Sequence, residues 1–369
     1  MTRAADRHRV AGTGSAPTST ATTGVGRFLG LLALIAVSVA TVVSIVIAVS
    51  VGQVNIPFLD TLGALGGHLL HLRNDAGGDQ FDSVIWEIRL PRVLLSVLVG
   101  AGLALCGVIM QASLQNPLAD PYLLGVSAGG SLGATVAILA GFGASGLLAG
   151  ASVPVWAFSG SLLATVIVLM IGSTGSRTSA VKLILAGAAV NALCTAVSSS
   201  FVYFAASSEG IRTVTFWMLG SLASATWDDL PLTLCVVVGA LAVMATQIRS
   251  LDVMLTGDES AITLGVDSAR RRRAYLVLCA LVTGCLVAHV GVIGFVGLLV
   301  PHVVRGAVGA SHRLLLPVAT ITGGLFVLWA DVIARVAVSN SELPIGIVTA
   351  VLGAPVFLHM LTRKEYSFG

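Results

Sequence analysis

Charge is what this sequence has least of. Its 369 residues include only 20 Lys+Arg and 17 Asp+Glu, 10% of the chain, where a soluble protein carries about a quarter. With 56% hydrophobic residues and a mean hydropathy of +0.97, too little polar surface is left to cover a water-facing globule. A cytosolic enzyme and a disordered chain are both excluded, and a lipid bilayer is left as the solvent. The net charge of +3 is too small and too scattered to suggest nucleic acid as a partner. Lysine is scarcer still. Neither Lys182 nor Lys364 follows a glycine, so there is no Walker A phosphate loop and no means of hydrolysing ATP within this chain. The five cysteines (Cys106, Cys194, Cys235, Cys279, Cys285) lack any Cys-x-x-Cys spacing and sit in apolar runs. They read as small core residues, neither a disulfide framework nor a metal site.

What is present is a series of apolar runs. A helix needs about 20 apolar residues to cross the hydrocarbon, because only a helix or a closed barrel satisfies its own backbone there. Such runs fall at 28–51, 93–112, 122–141, 152–171, 183–206, 231–248, 274–290, 291–309, 314–338 and 345–361. The expectation is an all-α, polytopic membrane protein with about ten transmembrane helices. The runs at 122–141 and 291–309 are glycine-rich enough to be broken or partly re-entrant. Residues 1–27, with four arginines among Gly, Ser, Thr and Ala, read as a disordered cytoplasmic tail. Residues 28–362 form the transmembrane domain, with a cytoplasmic loop at 251–273, and 363–369 make a cytoplasmic C-terminal tail. With both termini inside, 15 of the 20 Lys+Arg fall on the cytoplasmic side, as the positive-inside rule requires. The five tryptophans then lie at or near the outer interface. Phe58, Leu62, Leu65, Leu69 and Leu72 mark a short helix lying on the outer membrane surface.

A carrier driven by an ion gradient needs an acid within its spans. The ten runs hold only Asp331, near a helix end, which argues against ion coupling. His289 and His302 lie in or beside spans, either as core residues or as contacts for a substrate or metal, with no partner at ligand spacing. Gly143-Ala144-Ser145-Gly146 matches the nucleophile motif of rhomboid intramembrane proteases. It falls in an outer loop, and glycine is common throughout.

The most polar internal loop contains Gly257, Asp258, Glu259, Ser260, Ala261, Leu264 and Gly265. Asp258 and Glu259 suit a helix N-terminus and Gly265 a C-cap, with Ala261 and Leu264 as a small apolar face. This is either a docking helix or an ordinary amphipathic loop helix. The run Arg270 to Arg273 reads as an interface anchor. Arg89-Leu90-Pro91-Arg92 opens the second span, with positive charge at a helix N-terminus, where the dipole opposes it. Pairing with Glu87 or Asp82 would offset this, and so would the carboxylates of a docking partner. Arg335 has Asp331 at i−4 as its internal alternative. Asn116-Pro117-Leu118 ends that span in a turn, and Gly125, Gly129 and Gly133 repeat every four residues, for close helix packing or for lining a pathway.

Taken in order, Arg89-Leu90-Pro91-Arg92, Gln115-Asn116-Pro117-Leu118-Ala119-Asp120-Pro121, Leu124-Gly125-Val126-Ser127-Ala128-Gly129-Gly130, Gly291-Val292-Ile293-Gly294-Phe295-Val296-Gly297 and Leu343-Pro344-Ile345-Gly346 closely resemble the iron-chelate and vitamin B12 family of ABC importer permeases. The resemblance runs over about 28–362. It implies a type II importer permease in the cell membrane that pairs with a second permease copy or paralogue. Two ABC ATPase subunits, which bind the ATP and Mg, would sit at the cytoplasmic face and a substrate-binding protein at the outer face. It implies no cofactor or metal in this chain. It assigns Gly257 to Gly265 to ATPase docking, Arg89, Arg92 and Arg335 to binding-protein docking, and Asn116, Pro117 and Leu118 to a cytoplasmic gate, with a second gate loop near Thr178 and Ser179. Ferric siderophore leads as cargo, followed by cobalamin and haem.

Overall fold

The computed structural model describes residues 20–54, 56–69, 81–139, 153–172 and 180–362. Within these the chain is a bundle of helices: α1 (Thr20–Ser50), α2 (Phe58–Leu69), α3 (Leu90–Leu114), α4 (Val126–Leu139), α5 (Val153–Gly172), α6 (Ala180–Phe204), α7 (Ser208–Met218), α8 (Asp229–Thr246), α9 (Ile248–Met254), α10 (Asp258–Thr263), α11 (Ser268–Val290), α12 (Val296–Val308), α13 (His312–Val336) and α14 (Ile345–Thr362). Each of the ten apolar runs carries a helix. Seven of these helices are long and apolar enough to cross a membrane, and the helices Val126–Leu139, Val296–Val308 and Ile345–Met360 are shorter.

Two boundaries differ from expectation. Helix α1 begins at Thr20, inside the segment read as a disordered tail. Once a helix is nucleated each added residue gains a hydrogen bond, and no proline interrupts 20–27. The rest of that tail, the tail 363–369 and Ser145 lie outside the described residues. Helix α3 is led by a π-turn, Val84–Arg89, so the chain is already helical before Pro91.

Helix α3 is the hub. In its most apolar window 83% of residues are buried, against 22% for α1, and it packs on α13, α11, α12 and α8. Lipid gives no hydrophobic drive for helices to associate, so contact depends on close backbone approach and hydrogen bonds. The α4–α5 crossing shows this at Gly129 and Gly133, where a Cβ would collide with the backbone oxygens of Gly160 and Trp156.

The two glycine-rich runs are indeed broken. Asp120 accepts a hydrogen bond from the Tyr122 amide at 2.8 Å, starting a 3-10 turn (Pro121–Leu124) that ends at Gly125 with φ +74° before α4 begins. After α11 the chain passes Gly291 (φ +71°) and Phe295 (φ +69°) before α12 begins. The two breaks face each other: the Tyr122 hydroxyl donates to the Ile293 carbonyl at 3.0 Å and accepts from the Ile293 amide at 3.1 Å. Neighbouring ends knit to the same place through Ser221 N–H to Val290 O (2.9 Å), Ile345 N–H to Gly220 O (3.1 Å) and Gly346 N–H to Leu219 O (3.0 Å). Each bond satisfies backbone that lipid cannot.

Candidate functional site

Helix α3 spans 25 residues, roughly 37 Å at 1.5 Å per residue. Its two ends therefore lie on opposite faces of a bilayer whose hydrocarbon is about 30 Å thick. Each end carries one of the clusters singled out in the sequence.

At the N-terminal end Arg89, Arg92 and Arg335 come together; Arg335 takes the i−4 partner Asp331 that its spacing offers, whereas Arg89 and Arg92 take partners that sequence spacing did not select. Arg89 Nη1 donates to the carbonyls of Val49 and Ser50, each at 2.9 Å, and its Nη2 to that of Val54. Arg335 donates to Ala48 (3.1 Å) and Val51 (3.0 Å). Two guanidinium groups thus cap the C-terminus of α1, whose last carbonyls lack helical donors and carry the negative end of its dipole. Arg92 binds Asp331 at 2.9 Å and Glu342 at 2.9 Å, and Arg335 Nε lies 3.0 Å from Asp331. Glu87 and Asp82 are not the partners of Arg89 and Arg92. Asp82 pairs with His68 at 2.9 Å, whose ring stacks on Trp86 at 4.3 Å. The cost of positive charge at the start of α3 is offset inside the subunit. Asp331, the single acid in the ten apolar runs, is 1% exposed and held between two arginines, an arrangement unsuited to a proton carrier. The three arginines, with Glu342 and Gln53, still line an open pocket of about 460 Å³.

At the C-terminal end the short loop helix forms as read. Gly257 has φ +103°, α10 starts at Asp258, and Gly265 has φ +79°. The expected apolar face does not form. Ala261 is 0% exposed, whereas Leu264 is 64% exposed and shares the open side with Ile262 and Glu259. With α10 only six residues long, Leu264 falls in the C-cap rather than on the helical stripe. In the adjoining turn Asn116 Oδ1 accepts from the Leu118 amide at 2.9 Å, an Asx turn that shapes 116–118. Thr178 and Ser179 lie outside the described residues.

Two features escaped sequence reading. Arg272, which the run Arg270 to Arg273 places among interface anchors, is 2% exposed and points inward. Its Nε donates to the Ser113 carbonyl at 2.6 Å and its Nη2 to Asp258 at 2.7 Å. The second feature is a cavity of about 200 Å³ beside the broken-helix junction, lined by Ser127 and Ser131 of α4, Asn191, Thr195 and Ser198 of α6, and Met218. No charged side chain lines it, and the Ser198 hydroxyl is buried without a hydrogen-bond partner. The spacing Asn191, Thr195, Ser198 is one helix face, a signal legible beforehand. Gly129 and Gly133 are buried against α5 and Gly125 serves a left-handed turn, so the three glycines do not act as one stripe. His289 is engaged by Asp229 at 3.1 Å.

The comparisons with known proteins converge. A model of the FecCD transport family matches residues 40–363. The cobalamin import system permease protein BtuC of Halobacterium salinarum is 42% identical over 282 residues, covering 76% of this chain and 74% of that protein. The hemin transport system permease protein HmuU of Yersinia pestis is 40% identical over 304 residues, covering 82% and 90%. A solved structure described as a metal-chelate type ABC transporter in an inward-facing conformation superposes with a TM-score of 0.74 at 30% identity, over 89% of this chain and 98% of that one.

Proposed function

This chain belongs to the FecCD transport family of ABC importer permeases, and on that premise we propose that it carries a tetrapyrrole metal chelate, cobalamin first, into the cytoplasm. The names of the relatives carry this choice, and the uncharged lining of the α4–α6 cavity, too small to enclose such a cargo, is compatible with a wall that the cargo passes. Hydroxyl and amide groups suit a cargo that is close to neutral overall, as cobalamin is, and its relatives at 40–42% identity are named for cobalamin and hemin. Haem, with two propionates, fits less well. A ferric catecholate siderophore, strongly anionic, would meet no cation in this cavity, whereas a ferric hydroxamate, close to neutral, stays a competing cargo; the order of preference moves from siderophore to cobalamin on the relatives' names.

The machinery follows the same premise. Two ATPase subunits, holding ATP and Mg, engage α10 through Gly257, Asp258, Glu259, Ala261, Leu264 and Gly265. A substrate-binding protein seats carboxylates in the pocket lined by Arg89, Arg92 and Arg335 through charge-assisted bonds. A second permease copy or paralogue completes the pathway in the cell membrane, with both termini cytoplasmic. Asn116, Pro117 and Leu118 form the cytoplasmic gate, and transport proceeds by alternating access. The chain itself catalyses no reaction.

The test is uptake of labelled cobalamin, haem and ferric siderophore in a strain lacking this gene. Selective loss of cobalamin uptake, restored by the wild-type gene, is expected. Loss of siderophore uptake with cobalamin uptake intact would overturn the cargo assignment and leave the importer reading in place.

A further inference from the structure

The end of α3 leaves the Ser113 carbonyl without a helical donor. The helix stops at Leu114 with Gln115 in a left-handed conformation, and residue 117, which would donate if the helix ran on, is a proline with no N–H to give. The donor comes instead from α11: Arg272 Nε reaches the Ser113 carbonyl at 2.6 Å. The same guanidinium reaches Asp258, the first residue of α10, at 2.7 Å through Nη2. Gln115 adds a second link from the end of α3. Held in a left-handed conformation (φ +50°), it donates from Nε2 to the Met254 carbonyl at 2.8 Å and to Asp258 at 3.4 Å. Three segments that approach from different parts of the chain therefore meet on one buried side chain: the end of α3 that carries 116–118, the start of the docking helix, and the second turn of α11. Arg270, Arg271 and Arg273 of the same run face outward, so an interface anchor does not account for Arg272.

We propose that Arg272 is a positioning residue that couples movement of docking helix α10 to the gate turn 116–118, by clamping Asp258 and the Ser113 carbonyl together. This rests on the importer reading above. A guanidinium is a rigid planar fork, so its two bonds fix the relative position of the two elements it joins. A push on α10 is then passed to the end of α3 rather than absorbed by the half-exposed loop. A lysine ammonium keeps the charge but not the fork, and satisfies one partner at the expense of the other.

The experiment uses the full transporter, reconstituted with its ATPase subunits and binding protein in lipid vesicles, and reads ATP hydrolysed against cobalamin taken up. In Arg272→Lys the complex is expected to assemble and hydrolyse ATP, while cobalamin transported per ATP falls on the order of tenfold, a coupling loss of the usual size. Gln115→Ala, which deletes the second link from a half-buried position, should lower the same ratio by a smaller factor, and it supplies the readout if Arg272→Lys does not insert. A transport-to-hydrolysis ratio equal to wild type, whether both rates stay normal or both fall together, overturns the proposal, because a purely structural role leaves that ratio unmoved. Absence of ATP-driven cobalamin uptake by the wild-type complex overturns the cargo assignment instead, and the same ratio is then read with haem or a ferric siderophore; absence of ATP-driven uptake of all three contradicts the importer reading.

Discussion

The two ends of α3 hold their charges in opposite ways. At the N-terminal end three arginines, Asp331, Glu342 and the carbonyl end of α1 form a network closed around Asp331, which is 1% exposed, and open to the outside only at Glu342, whose side chain is 38% exposed. At the C-terminal end a single buried arginine reaches out to Asp258, whose side chain is 46% exposed. A closed network resists deformation, because each member removed leaves a buried partner unpaired. A clamp with one half-exposed jaw can be worked from outside. The first arrangement fixes a structure against which the second can move.

That contrast breaks most visibly at Asp331. Replacement by Ala leaves Arg92 and Arg335 buried and short of their shared carboxylate, which should cost about 3–5 kcal/mol and show as a collapsed yield of folded protein and a lowered unfolding temperature in detergent. An Asp331→Ala protein as stable as wild type would mean that the network is not closed. Next in size, Gly133→Val forces α4 away from the α5 backbone, where a Cβ has no room. Overpacking of this kind costs typically 1–3 kcal/mol, again readable as a lower unfolding temperature.

At the other end stability effects should be small and functional effects large. Glu259 is exposed, so Glu259→Gln should change stability by no more than about 0.5 kcal/mol while reducing the amount of ATPase subunit that co-purifies with the permease. Unchanged recovery of the ATPase would remove Glu259 from the docking surface. The smallest effect concerns Asp252 of α9. Burial pushes its carboxyl up, but hydrogen bonds from the side chain and amide of His312 outweigh this and hold it below the usual carboxylate range. A carboxyl depressed in the folded state adds stability at neutral pH and loses it as pH falls through the acid range below about 4. Asp252→Asn should therefore flatten that acid limb of the stability profile and leave stability above pH 6 nearly parallel to wild type.

Much of this architecture was legible because lipid leaves few options. Every apolar run of sufficient length became a helix, and the two glycine-rich runs broke where Gly125 and Gly291 adopt positive φ. Helix α10 announced itself through Asp258 and Gly265, which act locally. What was not legible depended on tertiary partners. Nothing in the spacing of Arg89 points to carbonyls 35 to 40 residues earlier in the chain, and Glu342 lies 250 residues from Arg92. Arg272 is one of four consecutive arginines, and only the packing of α11 on α3 selects which one turns inward. A trace of it was available all the same: Pro117 cannot donate to the Ser113 carbonyl, so a helix ending there needs a donor from elsewhere.

The central claim, that this chain is the membrane path of an ATP-driven importer, is tested most directly by purifying it with its ATPase subunits and binding protein and measuring cobalamin uptake into vesicles with and without ATP. Uptake that requires ATP and is indifferent to a proton uncoupler is the expected result. Uptake that proceeds without the ATPase subunits and collapses with the uncoupler would contradict it.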